Sequence, residues 1–172
     1  MKKFNNISHE RSRIEFLALR CCLKEFYGEN PEVFYEESGK PYVKNGDFVS
    51  FTHTKGFAGV IISETNQVGI DLELKREQIL RIAHKFIRPE EEALINDKTR
   101  IEHLTYYWGA KEVAIKITGN HFLNFIGQLH VKPFEYKPDC NSSIDILEKP
   151  VTLKAVVHFE KIEELFLSYG WL

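Results

Sequence analysis

From Val68 to Leu74 apolar residues fall at every second position, and from Ile79 through Ile82, Ala83 and Phe86 the spacing lengthens to three and four. A period of two belongs to a strand with one buried face, and a period near 3.6 to a helix. The chain therefore leaves a sheet and turns back to cover it within a few residues. Upstream, Ser8 is expected to cap a helix running to about Phe26, with Ile14, Leu17, Cys21 and the stem of Lys24 on its packed face, ended by residues 28–31. Strands are expected at 33–36, 42–43 and 48–52, separated by turn signals at Ser38-Gly39 and Asn45-Gly46, and again at 57–63 and 68–74. Glu64-Thr65-Asn66-Gln67 reads as a hairpin loop between the last two. Downstream, Pro89 opens a short helix and a longer one runs from about Arg100 to Ile117, closed by Gly119. Strands return at 129–134, 151–159 and 165–169. Helix, strands, helices, strands is the order of an α+β fold with antiparallel pairing, not of an alternating parallel sheet.

No repeat, low-complexity tract or Pro/Gly/Ser-rich linker divides the 172 residues, so one compact domain, 1–172, is expected. If it has two halves, the seam lies near Asn66-Gln67. Lys and Arg number 23 against 25 Asp and Glu, a net charge of -2, which supplies no uniform positive field for nucleic acid or anionic lipid. A polyanion would have to be met by a local cluster. The longest apolar run, residues 57–62, is far short of the ~20 residues of a membrane span. Asn5, Asn6, Ser8, His9 and Glu10 stand where a signal sequence needs apolar residues. A cytoplasmic protein without membrane or nucleic-acid partners is the expectation. Three cysteines, two adjacent, fit neither a disulfide framework nor zinc-ligand spacing.

Chemistry concentrates in two segments. In Val68-Gly69-Ile70-Asp71-Leu72-Glu73-Leu74 the apolar residues take one strand face, and Asp71 and Glu73 share the other, about 7 Å apart at Cα. Two neighbouring anions repel unless a cation lies between them, and a hard divalent ion with oxygen ligands is the usual one. A solvated strand face running into Lys75-Arg76-Glu77 is the plainer alternative. In the long helix, Trp108, Glu112 and Lys116 recur at i, i+4 and i+8 and form a row. An acid to hold metal beside a cation to hold phosphate needs that arrangement, although an ordinary Glu-to-Lys helix pair has the same spacing. Three weaker features accompany these: Thr52-His53 at a strand end before a polar turn, Gly39-Lys40-Pro41 with a lysine in a rigid turn, and Glu90 in the first turn of a helix, where the helix dipole alone justifies an acid.

In this order the segments resemble the 4'-phosphopantetheinyl transferase superfamily: Gly39-Lys40-Pro41, Thr52-His53, Gly69-Ile70-Asp71-Leu72-Glu73, Phe86 to Glu90, and Trp108 to Lys116. The resemblance spans about residues 39–119, and five weak motifs in sequence carry it. It implies Mg²⁺-dependent transfer of the phosphopantetheine arm of coenzyme A to a serine of an acyl or peptidyl carrier protein, in fatty-acid, polyketide or related synthesis, with release of adenosine 3',5'-bisphosphate. Asp71, Glu73 and Glu112 would hold Mg²⁺, with Mn²⁺ able to substitute. Lys40, Thr52, His53, Lys111 and Lys116 would bind coenzyme A, and Glu112, Lys116 and Glu90 would form the catalytic set. The fold implied is that of the surfactin-synthetase-activating type, a pseudo-dimer of two similar antiparallel-sheet-plus-helix halves, here about 1–66 and 67–172, acting as a monomer. The residues alone leave two other readings: a metal-dependent phosphodiesterase or nuclease, and a carrier-protein-binding module without catalysis. Which of Arg11, Arg13 and Arg20 meets the coenzyme is not fixed by the sequence.

Overall fold

The structure is a computed structural model that describes residues 7–29, 31–44 and 46–172. Helix α1 (Glu10–Tyr27) is followed by β1 (Val33–Tyr35), β2 (Pro41–Val43), β3 (Phe48–Thr54), β4 (Phe57–Ser63) and β5 (Val68–Leu74). Then come α2 (Gln78–Ile82) with a 3-10 turn at Ala83–Lys85, α3 (Pro89–Glu92), a second 3-10 turn at Asp97–Thr99, and α4 (Arg100–Thr118). Strands β6 (Leu129–Val131), β7 (Asp139–Glu148), β8 (Val151–Ile162) and β9 (Leu165–Trp171) complete the order. The strands form two antiparallel sheets, β1-β2-β3-β4 and β5-β9-β8-β7-β6.

The expected hairpin at residues 64–67 is not one. β4 and β5 belong to different sheets, and β5 pairs instead with β9, Asp71 opposite Ser168. Ile70 has a face to give to the first sheet, so the turn passes the chain between layers rather than folding it back. β3 and β4 lie against β5, and the Ile70 amide donates to Ser50 Oγ at 3.3 Å across the two layers.

Helix α4 is the centre of the molecule. Twelve of its 19 residues are buried, too many for the single apolar stripe of a surface helix, because it sits in the hollow of the five-stranded sheet. Leu104, Tyr106, Tyr107, Val113 and Ile117 pack there with Leu129, Ile144, Val157, Phe159 and Phe166. The approach to β5 is close enough to require glycine: a β-carbon on Gly69 would press into the Val113 carbonyl and stand 3.1 Å from Ile117 Cγ1. Gly119, left-handed at φ 72°, ends the helix by returning its amide to the Ile115 carbonyl at 2.8 Å.

The first helix departs from expectation. His9, not Ser8, is its N-cap and makes no side-chain cap bond. Ile14 and Leu17 are 60% and 48% exposed and Cys21 is exposed, whereas Leu23 is buried. The helix meets β4 by another face than its apolar spacing suggested. Of the Asn45-Gly46 turn, Asn45 lies outside the described residues, and Gly46 has φ 93°. Strand β7 was not foreseen.

Candidate functional site

The register of β5 decides where the acids go. Gly69, Asp71 and Glu73 share a face with Gly170, Ser168 and Phe166 of β9, and α4 covers that face. Asp71 is only 7% exposed, so the solvated-strand alternative does not hold. The row on α4 meets it: Lys116 Nζ donates to Asp71 Oδ1 at 2.8 Å and to the Ile70 carbonyl at 2.7 Å. The lysine thus reaches across to the strand instead of closing an i, i+4 pair with Glu112.

Burial, and after it the charge of Asp71, raises the proton affinity of two carboxylates here. Glu112 is pushed up to about 7, first by burial and then by repulsion from Asp71, with Lys116 opposing. Glu73 is raised by burial and by Asp71, while Arg76, a hydrogen bond from Trp108 and Lys116 pull the other way. Asp71 Oδ2 is buried without a hydrogen-bond partner. Hard carboxylate oxygens of like charge suit Mg²⁺ in kind. Among the described residues no three acids or histidines converge closely enough to make a ready-closed cation cage.

A cleft of about 560 Å³ opens above this row, lined by Thr52 and His53 from β3, Asp71 and Glu73 from β5, Lys116 from α4, Arg11 and Glu15 from α1, and Arg76. His53, half exposed, has Nδ1 3.4 Å from Glu15 Oε2, and Glu15 also accepts from Arg11 Nε at 2.8 Å. Thr52 is buried at the cleft wall. Of the three arginines of α1, Arg11 reaches the cleft; Arg13 donates to the Ile7 carbonyl, and Arg20 lies over the Phe16 ring at 4.8 Å. Arg76, which nothing in the local pattern separates from its charged neighbours, stands on the rim with Nη2 3.3 Å from Thr54 Oγ1. Lys40 borders a smaller adjoining cavity of about 210 Å³ that Lys116 and His121 also line. Its ammonium donates to Gln67 Oε1 at 2.9 Å and to the Ile117 carbonyl, and burial lowers its pKa against the pull of Glu36.

Two expected site residues are elsewhere. Lys111 is fully buried on the core side of α4, where Nζ donates to Glu91 Oε2 at 2.8 Å, to the Phe125 carbonyl at 3.0 Å and to the Phe86 carbonyl. Adjacent helix positions point about 100° apart, so Lys111 enters the core while Glu112 turns toward Asp71 and Lys116. Glu90 is exposed beside Arg88, at 3.2 Å, and does not line the cleft. The acid of that segment with a fixed place is its neighbour Glu91, which also accepts from the Val131 and Arg88 amides at 2.9 and 3.0 Å.

Paired acids on a strand, an acid and a lysine on the covering helix, and a cleft rimmed by arginine and histidine make up the charged face that β5 and α4 build. The family model of the 4'-phosphopantetheinyl transferase superfamily matches residues 67–163, over half of the chain and the segment that carries β5 and α4. The chain belongs to that superfamily. It is 30% identical over 115 residues to the 4'-phosphopantetheinyl transferase HetI of a Nostoc species, a match covering 59% of this chain and 48% of that protein. It is 33% identical over 93 residues to the L-aminoadipate-semialdehyde dehydrogenase-phosphopantetheinyl transferase of Candida glabrata, covering 47% of this chain and 36% of that protein. The matches thus take in half or less of the length of these relatives.

Proposed function

We propose that this chain transfers the phosphopantetheine arm of coenzyme A to a serine hydroxyl of an acyl or peptidyl carrier protein. The observation that carries the reading is the placing of Asp71, Glu73 and Lys116 along one cleft, with Glu112 near enough to feel the charge of all three, in a member of this superfamily. In the reaction the bond between the arm's phosphorus and the bridging pyrophosphate oxygen breaks, and a bond from that phosphorus to the serine oxygen forms. The serine proton passes to a base, and adenosine 3',5'-bisphosphate leaves.

Asp71, Glu73 and Glu112 would hold Mg²⁺, which when bound neutralises carboxylates and pyrophosphate together and polarises the phosphoryl oxygens. Lys116 hands its bond with Asp71 to a phosphate oxygen and stabilises charge as the bond breaks. His53, steadied by Glu15, and Arg11 meet the coenzyme's phosphates across the cleft, with Thr52 beside them. Lys40 serves the nucleotide end through the adjoining cavity. Glu112, raised to about 7 by burial and by Asp71, would give its carboxylate to the ion, and the bound cation would pull that pKa down. Glu90 and Lys111 have no part in this reading.

The pseudo-dimer reading, halves about 1–66 and 67–172 in a single compact domain, is supported by the passage from one antiparallel sheet to the other at residues 64–67. A cleft completed within one chain suits a monomer, which light scattering near 20.1 kDa tests. Free thiols at Cys21, Cys22 and Cys140 suit the reducing cytoplasm. The function is tested by intact-mass spectrometry of an apo carrier protein incubated with this protein, coenzyme A and Mg²⁺. A gain of one phosphopantetheine is expected, and no gain across fatty-acid, polyketide and peptide carriers would overturn it.

A further inference from the structure

Asp71 has one oxygen committed to Lys116 and another, Oδ2, that is buried and unpartnered. An isolated carboxylate oxygen in the interior is costly, so what borders it matters. Ser168 lies directly opposite Asp71 in the β5–β9 pairing, on the same face, and is 2% exposed. Above both passes α4, at Gly109. A β-carbon on Gly109 would run into Ser168 Oγ, stand 2.9 Å from Ser168 Cβ and lie 3.8 Å from Asp71 Oδ2. The hydroxyl and the lone carboxylate oxygen therefore border the same small volume, one that a methyl group at residue 109 would fill.

We propose that Ser168 is a positioning residue for Asp71, and that residue 109 is glycine so that the Ser168 hydroxyl can stand there. When the site is loaded, the hydroxyl donates to Asp71 Oδ2 and fixes the carboxylate with Oδ1 toward the cleft. A hydroxyl has one proton to donate and rotates freely to aim it, and Oδ2 has no competing donor. Partners that hold a metal ligand from behind typically change metal affinity by 10–100-fold when removed. This inference rests on the metal reading of Asp71 given above, yet concerns side chains that touch neither coenzyme nor carrier.

The test is Mn²⁺ titration in the presence of coenzyme A, followed by the electron paramagnetic resonance of the free ion, beside thermal melts. Ser168→Ala keeps the β-carbon and should weaken Mn²⁺ binding by at least about tenfold with little change in Tm. Gly109→Ala should lower both Tm and Mn²⁺ affinity. Adding Ser168→Gly to Gly109→Ala relieves the collision and should restore Tm while affinity stays low, because the hydroxyl is absent. Packing alone would restore both, and that result, or wild-type affinity in Ser168→Ala, overturns the proposal. Failure of the wild-type protein to take up Mn²⁺ overturns the metal reading and this inference with it, which separates the two.

Discussion

Replacing Lys111 by methionine separates the structure from the motif most sharply, because Lys111 falls within a family motif yet points into the core. Both partners of its ion pair are fully buried, and the ammonium serves one carboxylate and two carbonyls. Methionine fills similar volume but leaves Glu91 charged in the interior, with only the Val131 and Arg88 amides as donors, and strands the Phe86 and Phe125 carbonyls. Breaking a buried pair from one side costs about 3–5 kcal/mol. At 2–4 °C per kcal/mol for a chain of this size, Tm should fall by roughly 6–20 °C. Removing the charge on both sides, Lys111→Met with Glu91→Gln, should recover part of that loss, since the neutral amide oxygen can still accept from a backbone amide while no charge is left unpaired in the interior. Thermal and denaturant melts read the stability, and calorimetry with coenzyme A reads the site. A Lys111→Met protein that melts with the wild type and has lost coenzyme A binding would refute the reasoning and return Lys111 to the ligand.

Lys116→Ala should slow transfer on the order of a hundredfold and also lower Tm, because the buried Asp71 loses its ammonium partner, and Lys116→Arg should rescue only part of the rate, as a planar fork replaces a compact ammonium; steady-state kinetics beside a melt check it. Excess EDTA should stop transfer and Mg²⁺ or Mn²⁺ restore it, as followed by carrier mass, because the acids and the pyrophosphate repel without a cation. His103 is fully buried, stacked 5.0 Å from the Tyr107 ring, and its nitrogens make no hydrogen bond of normal geometry, although the Phe134 backbone lies near enough to favour the charged form. Burial lowers its pKa from 6.5, so the unfolded chain takes the proton first as pH falls through that value. Stability should therefore decline below about pH 6.5 by at most about 1.4 kcal/mol per pH unit from this group, and urea midpoints of His103→Phe should show a shallower acid limb.

The alternation at Val68 to Leu74 and the Trp108–Glu112–Lys116 spacing were legible because each is a local period, and β5 and α4 have the bounds those periods imply within a residue or so. Strand β7 was hidden because Asn141, Ser142 and Ser143 carry no apolar alternation, and only pairing with the longer β8 makes them a ladder. The 64–67 turn misled for a related reason: loop composition marks a reversal but not which strand the chain will meet afterwards. Periodicity gave Asp71 and Glu73 a common face and could not say whether α4 or water covers it. Lys111 and Glu90 were misplaced because a motif gives spacing without rotation, and the side of α4 on which a lysine emerges is settled by packing. Arg76 and Ser168 carried no local signal, since each matters only through a strand or helix distant in sequence.

Transfer is tested most directly with coenzyme A bearing one label in the pantetheine arm and another in the adenosine. Incubated with this protein, Mg²⁺ and an apo carrier protein, the arm label should appear on the carrier and the adenosine label in solution as the bisphosphate, one for one. Asp71→Ala, lacking the most buried of the three acids, should reduce both by at least about a thousandfold, roughly 4 kcal/mol. Both labels in solution, with none on the carrier, would make the protein a phosphodiesterase and contradict the account.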